Sequence, residues 1–493
     1  MSRISDIYRP SLSTLTDLYE LTMGAGYEAA GVADREAVFS LSFRSLPFGG
    51  GYALAAGLDD ALEILGRLRF EPEDIAHLRS LRGGGGEPLF RSDFLDHLAG
   101  FRFTCDIDAI AEGTVVFANE PLVRVRGPLL QAQLVESMLL TVIGFQTLVA
   151  TKASRIVEAA AGASILEFGL RRAQGPDGAL SAARAAYIGG VAATSNVLAG
   201  RLFGIPVRGT HAHSWVQVFG DEQRAFDAYA DAQPDNVTLL VDTYDSLAGV
   251  AHAIETGRRL ETSGRTLGAI RLDSGDLAYL SIEARRMLDE AGFRNTKIVA
   301  SNDLDEYTIA SLREQGARVD SWGVGTRLDT CFDQPALGAV YKLTAICEPG
   351  GWRYPIKLSE HSAKISIPGV LGVRRFVDDA GIFRADMIYD EELQAPPAGD
   401  VIVDPADALH MRAIDRGWHA QEIVEPVMRS GARVRPSPAL DEIRARARAQ
   451  VGSLHPAIRR LLNPHIYPVG LEMRLHERRS ALVLEHRRAP TPS

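Results

Sequence analysis

Cysteine is nearly absent from this chain, which has three in 493 residues, Cys105, Cys331 and Cys347, and no CxxC pair. That argues against a disulfide framework and a structural zinc site, and fits a reducing cytosol. Long apolar runs are missing too. No stretch approaches the roughly 20 uninterrupted apolar residues of a membrane span, and the opening MSRISDIYRP has no apolar leader core. The reading is a cytoplasmic protein with no membrane partner. A basic face is also lacking: 53 Lys and Arg stand against 63 Asp and Glu, the net charge is -10, and the cations are scattered. Nucleic acid is therefore not an expected partner, and an anionic substrate must be held by local positive groups.

What is present is an ordinary globular composition, 46% hydrophobic and 24% charged, in a chain too long for one compact domain of usual size. Two domains are expected. The opening segment is mixed: a helix over 15–27, a strand over 37–43, a Gly-rich turn at 49–51, helices around 58–68, and a flexible break at 83–86. Strands over 110–117 and 121–125 flank an Asn119-Glu120 turn, and a long apolar helix over 129–149 follows, with Thr151-Lys-Ala-Ser-Arg155 leading into another helix. The division this suggests is an N-terminal α/β domain over 1–130, a βα domain with the active site over 131–350, and C-terminal segments over 351–493 that pack on both.

Beyond Gly162 a rhythm sets in. Short strand candidates recur at 165–168, 206–208, 237–241, 267–271, 297–300 and 319–322, with helix patterns over 277–290 and 306–315. Alternation at this spacing indicates parallel βα units, and six or more units favour a barrel, with a doubly wound sheet as the alternative. In such barrels the active site is built from the loops after the strands. Reading those positions in order gives Arg171 and Arg172; His211 and His213; Asp242 and Asp245; Arg271, Asp273, Ser274 and Asp276; Ser301, Asn302 and Asp303; and Gly323, Gly325 and Thr326. Any one could be a solvated loop residue, but six successive strand ends carrying such groups point to a site.

Three of these ends carry specific chemistry. His211 and His213 alternate along what reads as extended chain, which would aim both rings to one side. Arg271 and Asp273 alternate likewise, offering a cation for an anionic substrate beside a carboxylate for Mg²⁺ or a developing positive charge, while Asp276 suits a helix N-cap. Gly323 and Gly325 would let the backbone approach a phosphate, with the Thr326 hydroxyl added.

As an ordered set, the motifs resemble those of the nicotinate phosphoribosyltransferases over most of the chain. They are Thr16-Asp-Leu-Tyr-Glu-Leu-Thr22, Asn119-Glu-Pro-Leu122, Ala150-Thr-Lys-Ala153, Glu167-Phe-Gly-Leu-Arg-Arg-Ala-Gln174, Gly209-Thr-His-Ala-His-Ser-Trp215, Arg271-Leu-Asp-Ser-Gly-Asp276, Gly323-Val-Gly-Thr326 and Asn463-Pro-His465. The resemblance implies an α/β fold: an irregular (β/α) barrel of the type II phosphoribosyltransferase kind, with a second α/β domain built mainly from the N-terminal segment and completed by C-terminal segments. It implies transfer of phosphoribosyl from 5-phosphoribosyl 1-diphosphate to nicotinate, giving nicotinate mononucleotide and pyrophosphate. The transfer is coupled to ATP hydrolysis, uses Mg²⁺, and takes place in a homodimer with a shared active site.

By the same likeness, Tyr19 and Phe168 would cover the two faces of the pyridine ring, with Tyr19 coming from the neighbouring subunit. Thr210 and Arg271 would bind nicotinate, Arg171 a phosphate or the substrate carboxylate, and Gly323, Gly325 and Thr326 the phosphoribosyl group. His213 would accept phosphate from ATP, and Asp273 would supply negative charge or part of the metal shell. His211 is read as a neighbour that either tunes His213 or packs. The rival within this chemistry is nicotinamide phosphoribosyltransferase, disfavoured because Ile188-Gly-Gly-Val-Ala-Ala-Thr-Ser-Asn196 contains no carboxylate to read an amide. The quinolinate enzyme would be shorter. A catalytically inactive barrel used as a binding module would be expected to have lost Asp273, His213 or the 323–326 loop. Nearer the C-terminus, 352–368 reads as strand-rich with Lys357, Ser359 and Lys364, residues 439–462 as an Arg-rich helix, and 487–493 as a disordered tail.

Overall fold

The computed structural model describes residues 11–359, 365–393 and 400–488. The chain forms two units, Met1–Leu148 together with Ala336–Ser493, and Val149–Pro335.

In the first unit the strand Glu36–Phe43 runs through a seven-stranded antiparallel sheet, flanked by Ala339–Glu348 on one side and Val123–Pro128 on the other. Residues 37–41 are buried in succession, so both faces of this strand are covered, and its Ala, Val, Phe and Leu side chains suit that. Strands from beyond residue 336 supply four of the seven members, and a second, six-stranded sheet is built wholly from 371–472. Asn119-Glu120 is a tight corner with Asn119 at φ +71, and Glu120 is fully buried, accepting from the Phe117 amide. Burial, then Asp386, pushes its carboxyl well up, while Arg375 pairs with Asp386 at 2.6 Å. This motif is a buried structural network.

Several expectations outside the βα repeat change. Gly83–Gly86 is a closed turn, with the Gly83 amide donating to the Glu87 carbonyl at 2.9 Å. The apolar helix is two, Leu129–Leu134 and Glu136–Ala160, so Thr151–Arg155 lie inside a helix. Among the described residues of the 352–368 stretch, strand is confined to the end of Gly351–Arg353, and Lys364 lies outside the described residues. The Arg-rich helix is Leu440–Gly452. Arg487 and Arg488 end the helix Met473–Arg488, and the rest of that tail is outside the described residues.

The second unit is the irregular barrel. Its strands are parallel and lie in the order Ala193–Thr194, Ser164–Glu167, Ser321–Val324, Lys297–Ser301, Ala269–Leu272, Thr238–Leu240. Val207 adds a single parallel bridge to Thr194. The last strand in sequence therefore pairs with the first, and the ring has one seam, between 206–208 and Thr238–Leu240. Helices follow the strands because aspartates stop them. Asp245, Asp276 and Asp305 accept from the amides three residues on, at 2.8, 3.0 and 2.7 Å, and begin Ser246–Thr262, Leu277–Glu290 and Glu306–Glu314. Each such cap contributes about 1 kcal/mol. Behind the sheet, Lys152, with 0% of its side chain exposed, is paired with Glu306 at 2.7 Å and Asp333 at 2.5 Å, and Arg155 adds a bond to Glu306 at 2.9 Å.

Candidate active site

Strand alternation decides which side chains gather at the open end of the second unit. Arg271 stands in register with Val299 and Leu240, and Ser301 with Gly323, so these share the barrel's inner side. Phe168 lies against Gly323: a Cβ there would come within 2.7 Å of the ring. Gly323 is thus required for packing Phe168, a closer constraint than the phosphate approach read from the sequence. Gly325 and Thr326 follow at the start of a one-turn helix, Thr326–Asp329.

Arg271 lies at the centre. Its guanidinium sits 5.5 Å from the Phe168 ring centroid, and donates from Nε to Ser301 Oγ at 2.7 Å, from Nη1 to Thr210 Oγ1 at 3.1 Å and from Nη2 to Asp273 Oδ1 at 2.7 Å. Three of its five N–H groups are thereby committed, leaving by count one on each terminal nitrogen. Asp273 also accepts from Ser301, and its amide donates to Asp242 Oδ2 at 2.8 Å, which takes the Ser274 hydroxyl at 2.6 Å. The strand-end aspartates divide by role: Asp242 and Asp273 face this cluster, whereas Asp245 and Asp276 cap helices. Asn302, beside Ser301, is held at φ +148, a strained conformation of the kind found at ligand sites.

The two histidines part company. His213 opens the helix His213–Phe219, so the extended alternation expected for the pair does not occur. Its side chain is 40% exposed, with Nδ1 at 3.2 Å from Thr243 Oγ1 and Nε2 at 3.9 Å from Asp273 Oδ2. Thr243 was missed from sequence, where nothing distinguishes it from other loop hydroxyls. His211 is 7% exposed, and its Nε2 accepts from the Leu240 amide at 3.1 Å, so the proton is on Nδ1, facing the Ala212 carbonyl at 3.3 Å. Leu240 belongs to the strand on one side of the seam and His211 follows the bridge on the other. A side chain thus closes the barrel where no strand pairing does among the described residues.

Burial lowers the pKa of His211 from its ordinary 6.5, the Ala212 carbonyl opposes this in part, and the Arg271 cation adds to the lowering. An imidazole depressed in the fold contributes stability above its unfolded pKa and loses it as pH falls, so stability should rise with pH across the slightly acidic range. His211→Phe removes the acceptor of a buried amide and should cost about 1–3 kcal/mol in urea unfolding. The same substitution should remove that pH slope, and equal slopes in both proteins would refute the assignment.

Arg171 and Arg172 are exposed, and Arg171 makes no hydrogen bond or ion pair with another described residue. Tyr19 belongs to the first unit, on the helix Leu18–Ala29. It is 46% exposed, next to exposed Leu15, Leu18 and Met23, and partial burial, then Glu136, pushes its phenol up to about 12. Its helix is anchored by Glu20, buried and accepting from the Ser137 amide at 2.9 Å and hydroxyl at 2.6 Å. Asn119 and His465 line a cavity of about 470 Å³ in the first unit with Arg44, Phe117 and Arg412. All three cysteines are free; Cys105 and Cys331 are buried, with thiols pushed up by that burial. No described helix is long and apolar enough to cross a membrane.

The chain is similar to known proteins over nearly its whole length. The profile described as nicotinate phosphoribosyltransferase (NAPRTase) N-terminal domain matches residues 14–144, the NAPRTase family profile matches 163–356, and the C-terminal domain profile matches 372–479. The nicotinate phosphoribosyltransferase of Bacillus subtilis is 42% identical over 484 residues, covering 96% of this chain and 97% of the relative. That of Caenorhabditis elegans is 36% identical, covering 94% and 92%. The crystal structure of human nicotinic acid phosphoribosyltransferase has a TM-score of 0.82 at 32% identity, covering 95% of this chain and 99% of that one. Three matching profiles, near-complete coverage and a common fold show that the chain belongs to the nicotinate phosphoribosyltransferase family, enzymes of phosphoribosyl transfer to nicotinate in NAD salvage.

Proposed function

We propose that this chain couples that transfer to ATP hydrolysis at the strand ends of its second unit. The observation that carries the reading is the Arg271 guanidinium, held by Thr210, Ser301 and Asp273 beside the Phe168 ring. A planar aromatic carboxylate needs an aromatic face and a two-pronged cation, and these are adjacent here. Phe168 covers one face of nicotinate, Arg271 pairs with its carboxylate, and Thr210 orients the guanidinium. Arg171, exposed at the rim, meets a phosphate or the substrate carboxylate. Gly323, Gly325 and Thr326 line the phosphoribosyl end.

The pyridine nitrogen attacks the anomeric carbon, the carbon–oxygen bond to diphosphate breaks, and the transition state resembles an oxocarbenium ion. Asp273 lies where its charge offsets that developing positive charge. His213 takes the γ-phosphoryl group of ATP, releasing ADP, and water later cleaves the phosphohistidine to phosphate. In the tautomer that donates Nδ1–H to Thr243, Nε2 carries the lone pair for that attack.

The site also fits Mg²⁺. Asp242 Oδ1 is buried with no hydrogen-bond partner, Asp273 adjoins it, and this ion is commonly bound by one or two carboxylates plus substrate phosphates. Asp242 and Asp273 would hold it, and bound there it would offset phosphate charge. No group of three or more metal-ligating side chains occurs among the described residues, in keeping with a site completed by substrate.

Incubation with nicotinate, 5-phosphoribosyl 1-diphosphate, Mg²⁺ and ATP should yield nicotinate mononucleotide, with far less product when nicotinamide is substituted. No product above background would end the reading, and a preference for nicotinamide would replace it with the rival one. A homodimer completes the site: the exposed run of Leu15, Leu18, Tyr19 and Met23 is the apolar surface it would use, with Tyr19 of the partner subunit on the second ring face. Random mixing of Tyr19→Ala and His213→Ala subunits, each defective in ATP-stimulated transfer, should then restore ATP stimulation at about one site in four, because half the dimers are mixed and one of their two sites is intact. No recovery would place Tyr19 in its own subunit's site. The scattered charge supports a protein that does not bind nucleic acid, and the scarcity of cysteine supports a cytoplasmic one.

A further inference from the structure

Behind the Phe168 turn lie two buried acids that the reaction does not use. Glu167 ends the strand Ser164–Glu167 on the side opposite Phe168, 1% exposed, and accepts from the Gly169 amide and from the Thr194 hydroxyl. Asp329, at the end of the one-turn helix Thr326–Asp329, is 0% exposed, and no N–H or hydroxyl among the described residues donates to either of its oxygens. The polar group in hydrogen-bonding reach is the Glu167 carboxyl. Two ionised carboxylates cannot face each other in a buried site without a large penalty; one proton between them converts repulsion into a strong hydrogen bond. The donors to Glu167 stabilise its charged form, so the proton belongs on Asp329.

The pair has a mechanical consequence. Gly169 is clasped between the two acids: its amide donates to Glu167, and a Cβ on it would sit 2.2 Å from Asp329 Cγ. On the other side of the same turn, the Phe168 amide donates to the Val324 carbonyl at 2.8 Å.

We infer that Asp329 is a neutral acid donating to the Glu167 carboxylate, and that this pair is a positioning device which holds the Phe168–Gly169 turn in the geometry that receives the pyridine ring. The inference rests on the reading of Phe168 given above. Burial, then Glu167, raises the Asp329 carboxyl, in keeping with that protonation. The other titratable and charged groups around it are Cys331, two residues on, with Lys152, Glu306 and Asp333 beyond that thiol, and Arg184, buried on the packed helix Gly175–Ile188.

The test uses the full-length enzyme and three variants. Asp329→Asn keeps an N–H donor toward Glu167, so its KM for nicotinate should stay within about twofold of wild type. Asp329→Ala loses the donor and should raise that KM about tenfold, the loss of one hydrogen bond to a charged group, with a smaller change in kcat. In wild type the KM should rise at alkaline pH as the shared proton leaves. Asp329→Asn, whose donor cannot ionise, should lack that rise. Infrared spectra without substrate should contain a buried carboxylic-acid band that Asp329→Asn removes. If the asparagine variant behaves like the alanine one, or if no such band is lost, the shared proton is refuted. Phe168→Ala separates the two layers: an unchanged KM for nicotinate would overturn the role of Phe168, while the infrared band decides the proton independently.

Discussion

Arg271→Ala is expected to lower kcat/KM for nicotinate about a thousandfold. A two-pronged contact to a carboxylate comprises two charge-assisted hydrogen bonds of about 1.5–3 kcal/mol each, and 1.36 kcal/mol is a factor of ten. The mean of that range is somewhat above three factors of ten. The loss is compounded because Asp273 Oδ1 would keep only Ser301 as a partner, freeing a carboxylate that now has a fixed direction. Arg271→Lys keeps the charge but cannot reach Thr210, Ser301, Asp273 and substrate together, so it should recover only part of the rate. Steady-state kinetics with nicotinate at saturating diphosphate sugar reads this directly, with circular dichroism confirming the fold. A loss of tenfold or less would mean that another cation carries the carboxylate.

His213→Ala should abolish the dependence of the transfer on ATP while leaving a slow ATP-independent reaction. The substitution leaves Arg271, Phe168 and Asp273 with their partners, so binding and transfer chemistry persist; what disappears is the acceptor of the γ-phosphoryl group. A phosphoryl group there would add nearly two negative charges within a few ångströms of Asp273. Such a change reorganises the helix start at His213 and any cation held by Asp242 and Asp273, tightening diphosphate-sugar binding until hydrolysis releases the product. Rates measured with and without ATP, at low and high diphosphate sugar, should differ strongly in wild type and coincide in the variant. A variant still stimulated by ATP would remove His213 from this role.

The barrel was legible because its strands are short apolar runs at even spacing and its helices begin at aspartates, both local signals. Leu277–Glu290 came out residue for residue. The same aspartates were ambiguous for the site: a cap such as Asp276 and a site carboxylate such as Asp273 occupy equivalent stretches of sequence, and only hydrogen-bond partners separate them. His211 and His213 were misjudged as an alternating pair because the chain turns into a helix at His213, and the seam that His211 closes depends on Leu240, 29 residues on. Asp329 gave no signal at all, since its meaning lies in facing Glu167 across 162 residues of chain. The first unit was least legible: its central sheet pairs Glu36–Phe43 with Ala339–Glu348, and no periodicity announces an antiparallel partner about 300 residues away.

The most direct measurement follows the γ-phosphate of ATP onto the protein. Wild-type enzyme incubated with γ-labelled ATP and Mg²⁺, quenched in alkali and digested, should carry the label on the peptide containing His213, with the base-labile serine and threonine esters excluded. Addition of nicotinate and 5-phosphoribosyl 1-diphosphate should then discharge the label as nicotinate mononucleotide forms. Label found on another residue, or undiminished in His213→Ala, would contradict the account.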